Sequence, residues 1–227
     1  MPIDHSKTYK ELKIRNIPHI LRKRELTRVV ESAPKNIQSY ADFGCSNGYL
    51  TNIFAKILGA KNSFGFDKSK NIEIAKINYP HISFSHLDLN ETIKLDDKMD
   101  VITCFETLEH VGNTFSAIRT LREASSDRSM ILISVPIEIG LIGLIKFIIK
   151  RYLYRYPLSL NCSDLEYVSA ILHNKDIGIY RNKSKGFSTH FGFNYKNIEK
   201  QIEEAFVGFK ISKWSSVTSR FYKITCI

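Results

Sequence analysis

One junction restricts the fold of this chain more than any other feature: a strand-like run that ends in an acid and passes at once through a glycine turn into a helix. Ile37–Phe43 is strand-like, Asp42-Phe43-Gly44-Cys45-Ser46-Asn47-Gly48 forms the turn, and Tyr49–Leu58 has helical periodicity. The alternation continues. Strand-like Ser63–Asp67, Ile82–Leu87, Val101–Phe105 and Met130–Val135 are interleaved with helical Ile72–Asn78 and Phe115–Ala124. A parallel strand needs a crossover to return beside its neighbour, so such alternation implies βαβ units. The expected fold is α/β, a doubly wound, mostly parallel sheet with helices on both faces.

Composition excludes disorder: 43% of the 227 residues are apolar and 25% are charged. Residues 6–33 read as helical, with Pro18 opening a second helix and Pro34-Lys35-Asn36 ending it. Residues 1–36 are thus expected to form an N-terminal helical cap and 37–227 one domain. Regular patterning lapses between 136 and 190, which reads as a lid or acceptor-binding segment inserted over the ligand edge of the sheet. Helical Lys196–Phe206 and strand-like Gly208–Ser215 and Thr218–Ile227 follow. Ile131–Ile149 is nearly long enough to span a bilayer, but Pro136, Glu138 and Lys146 interrupt it. It reads as a buried strand joined to an amphipathic helix. The cysteines at 45, 104, 162 and 226 form no CxxC pair, and the N-terminus lacks an apolar secretory core, so a cytoplasmic location is expected.

Open α/β sheets bind ligands at the carboxyl ends of their strands, and the unusual residues cluster there. Gly44 and Gly48 would let a ligand approach the backbone beside the free N–H groups of a helix start. Asp42 adds a negative charge that suits a cationic ligand. No Walker lysine is present, and Ser46 stands where a dinucleotide fingerprint has its middle glycine. Asp67, at the end of the second strand, is placed to accept from two ribose hydroxyls. Asp88, after the third, is placed to accept from an exocyclic adenine amine.

In these residues the sequence resembles the class I S-adenosylmethionine-dependent methyltransferases. Their D-x-G-x-G-x-G motif is matched by Asp42, Gly44 and Gly48 and broken by Ser46. The resemblance implies a Rossmann-like sheet with an antiparallel C-terminal strand and S-adenosylmethionine as cofactor. It implies contacts to that cofactor from Asp42, Gly44, Cys45 and Gly48, from Asp67 and Lys68, from Asp88 and Leu89, and from Phe105.

Phe105-Glu106-Thr107-Leu108-Glu109-His110-Val111 is the more specific signal. On a helical turn, Glu106, Glu109 and His110 would share one face at i, i+3 and i+4. Two carboxylates and an imidazole suit Mg²⁺, Mn²⁺, Fe²⁺ or Zn²⁺. The E-x-x-E-H pattern is similar to that of ubiquinone-biosynthesis O-methyltransferases and of small-RNA 2′-O-methyltransferases. The RNA enzymes add a later histidine, a slot that His190-Phe191-Gly192-Phe193-Asn194-Tyr195 loosely fits. The resemblance thus implies Glu109 and His110 as catalytic, and Glu106, Glu109, His110 and His190 as ligands of Mg²⁺ or Mn²⁺. L-E-H-V also occurs in metal-free methyltransferases, where the two side chains line the acceptor pocket. His5, His19 and His173 read as ordinary surface or core residues.

On a helical wheel, residues 137–156 place Lys146, Lys150, Arg151 and Arg155 on one half and Ile145, Ile148, Ile149 and Tyr152 on the other. This is an interfacial helix suited to peripheral membrane contact, or a lid with a buried apolar half. The net charge of +10 is compatible with RNA, an anionic membrane or a phosphorylated substrate. The expected function is O-methylation of a small-molecule, lipid-like or saccharide acceptor. The alternatives are metal-dependent RNA 2′-O-methylation and a cofactor-binding regulatory subunit without catalysis.

Overall fold

A computed structural model describes Tyr9 and residues 16–156, 160–181 and 190–226. The strands are β1 Ser39–Phe43, β2 Asn62–Asp67, β3 Ser83–His86, β4 Met99–Phe105, β5 Ser125–Pro136, β6 Phe209–Ser215 and β7 Ser219–Cys226. They form one sheet in the order β3-β2-β1-β4-β5-β7-β6. β1 to β5 are mutually parallel, and β7 runs antiparallel to both β5 and β6. Because β1 pairs with β2 on one side and β4 on the other, successive crossovers diverge there and open a crevice at the carboxyl ends.

The helices are α1 Ile17–Glu31, α2 Tyr49–Leu58, α3 Asn71–Asn78, α4 Thr114–Glu123, α5 Gly140–Ile148, α6 Asp164–Leu172 and α7 Tyr195–Ala205. Alternate strand residues bury opposite faces, as the period of two demands. Tyr40, Val101, Leu132 and Phe221 pack with Leu26 and Val30 of α1, Phe54 and Leu58 of α2 and Ile72 of α3. Ala41, Ile102, Ile131, Ile133 and Tyr222 pack with Ile118 and Leu121 of α4 and Ile198 and Ile202 of α7. Burial of each such large apolar side chain contributes about 1.5–3 kcal/mol. The helices therefore lie on both faces of the sheet.

The segment after β5 builds a small core of its own from Ile139, Phe147, Leu160, Tyr167, Ala170, Ile171, Ile177 and Phe191. α5 runs on into a π-turn at Ile149–Leu153. The wheel drawn from the sequence is corrected here. Lys146 and Lys150 do not form a solvated basic face but turn inward onto the buried carboxylate of Glu138, and Arg151 pairs with Asp164. The outward face is apolar instead: Leu141, Ile145, Ile148, Ile149 and Tyr152 are all exposed. No helix among the described residues is long and apolar enough to cross a membrane.

Candidate cofactor and acceptor site

The turn after β1 is held against β2 by backbone bonds. Gly44 and Cys45 N–H both donate to the Phe66 carbonyl, at 2.7 and 3.1 Å. Gly44 adopts φ +85°, and a Cβ there would fall 2.0 Å from Oγ1 of Thr107. Ser46 occupies the left-handed region at φ +49°, which explains why glycine is the usual residue at this motif position. Its N–H donates to Asp67 Oδ2 at 2.8 Å, while Ser69 N–H donates to Oδ1 at 2.7 Å. Asp67 is thereby fixed across the turn, with lone pairs remaining for a ligand.

Asp42 is buried beneath the turn. Thr51 donates to its Oδ2 at 2.5 Å and Thr103 to its Oδ1 at 2.7 Å. Burial outweighs these bonds and pushes the carboxyl up to about 6. Asn90 donates twice to Oδ1 of Asp88, holding that carboxyl below its usual range.

The cavity above the strand ends has a volume of ≈ 430 Å³. Asp42, Gly44, Cys45, Asp67, Lys68, Asp88, Leu89, Phe105, Glu106, Glu109, His110 and His190 all line it. Gly48 does not. It starts α2 at φ +72°, where a Cβ would lie 2.6 Å from Phe84 Cζ, so it serves helix-on-sheet packing. His19 of α1, expected to be an ordinary surface or core residue, lines the cavity together with Tyr9 and Arg22. His173 is exposed and bonded to its own helix at the Ser169 carbonyl, and His5 lies outside the described residues.

Glu106 requires a second correction. It follows β4 at φ +49°, and Leu108–His110 is a 3₁₀ turn, so the expected i, i+3, i+4 face does not form. Glu106 accepts from Ser134 Oγ at 3.1 Å and pairs with Arg22 at 3.3 Å. Among the described residues, the group whose ligand atoms lie within 4.8 Å of one another is Glu109, His110 and His190. Glu109 is fully buried, and among the described residues neither of its oxygens has a hydrogen-bond partner. Burial, then the charge of Glu106, push its carboxyl well above the usual range. His190 Nε2 lies 3.9 Å from Glu109 Oε1, and its Nδ1 lies 3.4 Å from Glu138 Oε1. Arg181 donates to the Glu109 backbone carbonyl.

Several of these residues escape sequence reading. Glu138 shows in the sequence only as one acid in an apolar run. Arg22 shows only as one of a basic cluster, and nothing local marks Tyr9. Arg22 meets Glu106, and Glu138 meets His190, only across scores of residues in the chain.

A sheet of this order, carrying an acid-lined cavity over a glycine turn, defines the class I S-adenosylmethionine-dependent methyltransferases. The chain belongs to the methyltransferase-domain family, whose model matches residues 14–148. It is 26% identical over 160 residues to the methyltransferase-designated protein 235L of Invertebrate iridescent virus 6, a match covering 67% of this chain and 59% of that protein. A ubiquinone biosynthesis O-methyltransferase of Haemophilus ducreyi is 35% identical over 91 residues, covering 36% of this chain and 38% of that one. The chain thus spans less than two thirds of the length of either curated relative. The fold is similar to a SAM-dependent methyltransferase from Aquifex aeolicus, with a TM-score of 0.58 and 9% identity over 99% of this chain and 100% of that one.

The residues fit the cofactor this class uses. Asp67 and Asp88 offer acceptors at the β2 and β3 ends, and Phe66, Leu87, Leu89 and Val111 provide apolar wall between polar groups.

Proposed function

We propose that this chain is an S-adenosylmethionine-dependent O-methyltransferase acting on a hydroxyl of a small, lipid-like or saccharide acceptor. One observation carries the reading: Glu109, a buried carboxylate without hydrogen-bond partners among the described residues, stands beside His110 and His190 in the cavity wall. Bound S-adenosylmethionine supplies a methyl group on a positively charged sulfur. The chain has to hold a hydroxyl oxygen in line with that methyl and remove its proton.

Asp67 would accept from the ribose hydroxyls and Asp88 from the adenine amine. Phe66, Leu87, Leu89 and Val111 exclude water from the nucleoside. Glu109 and His110 would receive the acceptor proton. A carboxyl raised by burial is a strong base once ionised. Glu109, His110 and His190 also fit Mg²⁺ or Mn²⁺, because an orphaned carboxylate and two imidazoles form a mixed O/N donor set. Such an ion would lower the pKa of a hydroxyl it binds. Glu138 orients His190 through Nδ1, the usual arrangement behind a ligating imidazole.

The exposed apolar stripe of α5, next to His190 through Glu138, supports a lipid-like acceptor and contact with a lipid surface. The net charge of +10 supports RNA 2′-O-methylation as the second reading.

Transfer of a labelled methyl group is the test. Lipids, small RNA and water-soluble metabolites are offered separately, each with and without EDTA. Label in lipid or metabolite is expected, and its loss with EDTA assigns the metal. Label confined to RNA replaces the first reading with the second. Tight cofactor binding with no transfer to any fraction overturns both in favour of a regulatory subunit.

A further inference from the structure

We propose that Asn90 is a positioning residue that couples occupation of the nucleoside end of the cavity to the turn carrying Glu109 and His110; the assignment rests on the methyltransferase reading. Asn90 follows Asp88 and Leu89 beyond β3, and it bonds in two directions. Its Nδ2 donates to Asp88 Oδ1 at 2.6 Å, and its backbone N–H donates to the same oxygen at 3.0 Å. Its Oδ1 accepts from Gly112 N–H at 2.9 Å and from Asn113 N–H at 3.0 Å. Half a turn of the amide would set its NH₂ against two N–H donors and its oxygen against a carboxylate. The network therefore fixes one orientation of the side chain.

The turn depends on bonds from outside itself. β4 ends at Phe105, and Glu106 N–H makes the next backbone bond, to the Ser134 carbonyl of β5. His110 and Val111 N–H bond back within the turn, to the Thr107 and Leu108 carbonyls. The two N–H groups that follow, at the start of α4, are the ones that Asn90 accepts. On the other side, Arg181 donates to the Glu109 carbonyl. The segment bearing Glu109 and His110 is thus pinned between the inserted segment and the loop after β3.

Asp88 connects that loop to the ligand. Both Asn90 bonds fall on Oδ1, so Oδ2 remains open to an exocyclic amine. A nucleoside that fixes Asp88 also fixes Asn90, and through it Gly112 and Asn113. Only a side chain with both a donor and an acceptor can make this link. Aspartate at position 90 would still accept from the two N–H groups but would repel Asp88, and alanine would do neither.

That difference separates coupling from simple capping of the turn. Hydrogen exchange resolved to single amides is followed with and without saturating methylthioadenosine, a nucleoside that lacks the cofactor's amino-acid end. In the wild type the ligand should slow exchange of the Gly112 and Asn113 amides by roughly 2- to 10-fold. N90D should keep their ligand-free protection within about twofold, because the acceptor persists, but lose the slowing by ligand. N90A should lose both. With whichever fraction the wild type methylates, N90D at saturating cofactor should transfer about tenfold more slowly. Equal slowing by ligand in N90D and wild type, no slowing in the wild type, or transfer by N90D at the wild-type rate overturns the coupling and leaves the methyltransferase reading in place. A wild-type chain that binds neither methylthioadenosine nor S-adenosylhomocysteine overturns both.

Discussion

Nδ1 of His190 lies 3.4 Å from Glu138, while Nε2 of the same ring lies 3.9 Å from Glu109. One imidazole therefore joins two buried carboxylates of opposite character. Lys150 donates to both oxygens of Glu138 at 3.1 Å and Lys146 adds a bond at 3.3 Å. Burial opposes ionisation of Glu138, but His190, Lys150 and Lys146 outweigh it and hold the carboxyl down to about 2. Among the described residues Glu109 has no cation that close and no hydrogen bond to either oxygen, so burial governs it. In the proposed reaction the first carboxylate would orient and the second would react.

Glu138→Leu leaves Lys146 and Lys150 without their carboxylate and is expected to lower stability by about 3–5 kcal/mol. Glu138→Gln keeps an acceptor for His190 but removes the charge. Its methyl transfer should fall by roughly 10- to 100-fold with S-adenosylhomocysteine affinity nearly unchanged. Transfer at the wild-type rate in Glu138→Gln would show that His190 needs no such partner.

Glu109→Leu replaces a buried, unbonded carboxyl with an apolar side chain of similar size. Stability in urea should rise by roughly 1–3 kcal/mol. Methyl transfer should fall by at least about 100-fold, since the receiving group is gone. A destabilised variant would mean that Glu109 has partners in solution that its burial conceals.

Burial pushes the Asp42 carboxyl up to about 6 in the folded chain, against an ordinary value of 3.8. Between these values the folded state binds the extra proton, so stability falls as pH rises. The contribution is fully present below about 3.8 and lost through about 6, which amounts to about 3 kcal/mol. Relative to Asp42→Asn, the wild type should lose most of that stability between pH 4 and pH 7 in urea titrations. A pH-independent difference between the two proteins would contradict the burial argument.

The stripe on α5 is expected to hold the protein on phospholipid vesicles. Leu141→Glu with Ile148→Glu places two charges on exposed positions outside the apolar clusters and the cavity lining, so folding and cofactor binding should persist. Co-sedimentation with vesicles should drop by about tenfold or more. Equal sedimentation of both proteins would assign the stripe to another surface.

Much of the architecture was legible in the sequence because it is locally encoded. The bounds of α2 follow from Gly48 and Gly59, both in left-handed conformation at its two ends. The first residues of β5 were not legible. Ser125–Ser129 has no apolar alternation; Ser125 pairs with Met99 and Met130 with Val101, so the residues between them form a bulge in β5. Asp67 and Asp88 announce themselves as acids at strand ends. Glu106 misleads for a conformational reason: the E-x-x-E-H spacing implies one helical face, but the chain leaves β4 through a left-handed residue and a 3₁₀ turn. The amphipathic wheel of α5 was visible, though not its orientation, because no periodicity reports a buried carboxylate that draws lysines inward.

Local sequence determined the order of strands and helices, the glycine turn and the acids that follow the strands, because dihedral preference and apolar period act within a few residues. Tertiary structure alone decided which charges meet: Arg22 with Glu106, Lys146 and Lys150 with Glu138, His190 between Glu138 and Glu109. Charges interact through space, and burial sets the strength of that interaction. Neither distance nor burial is written in the spacing of residues along the chain.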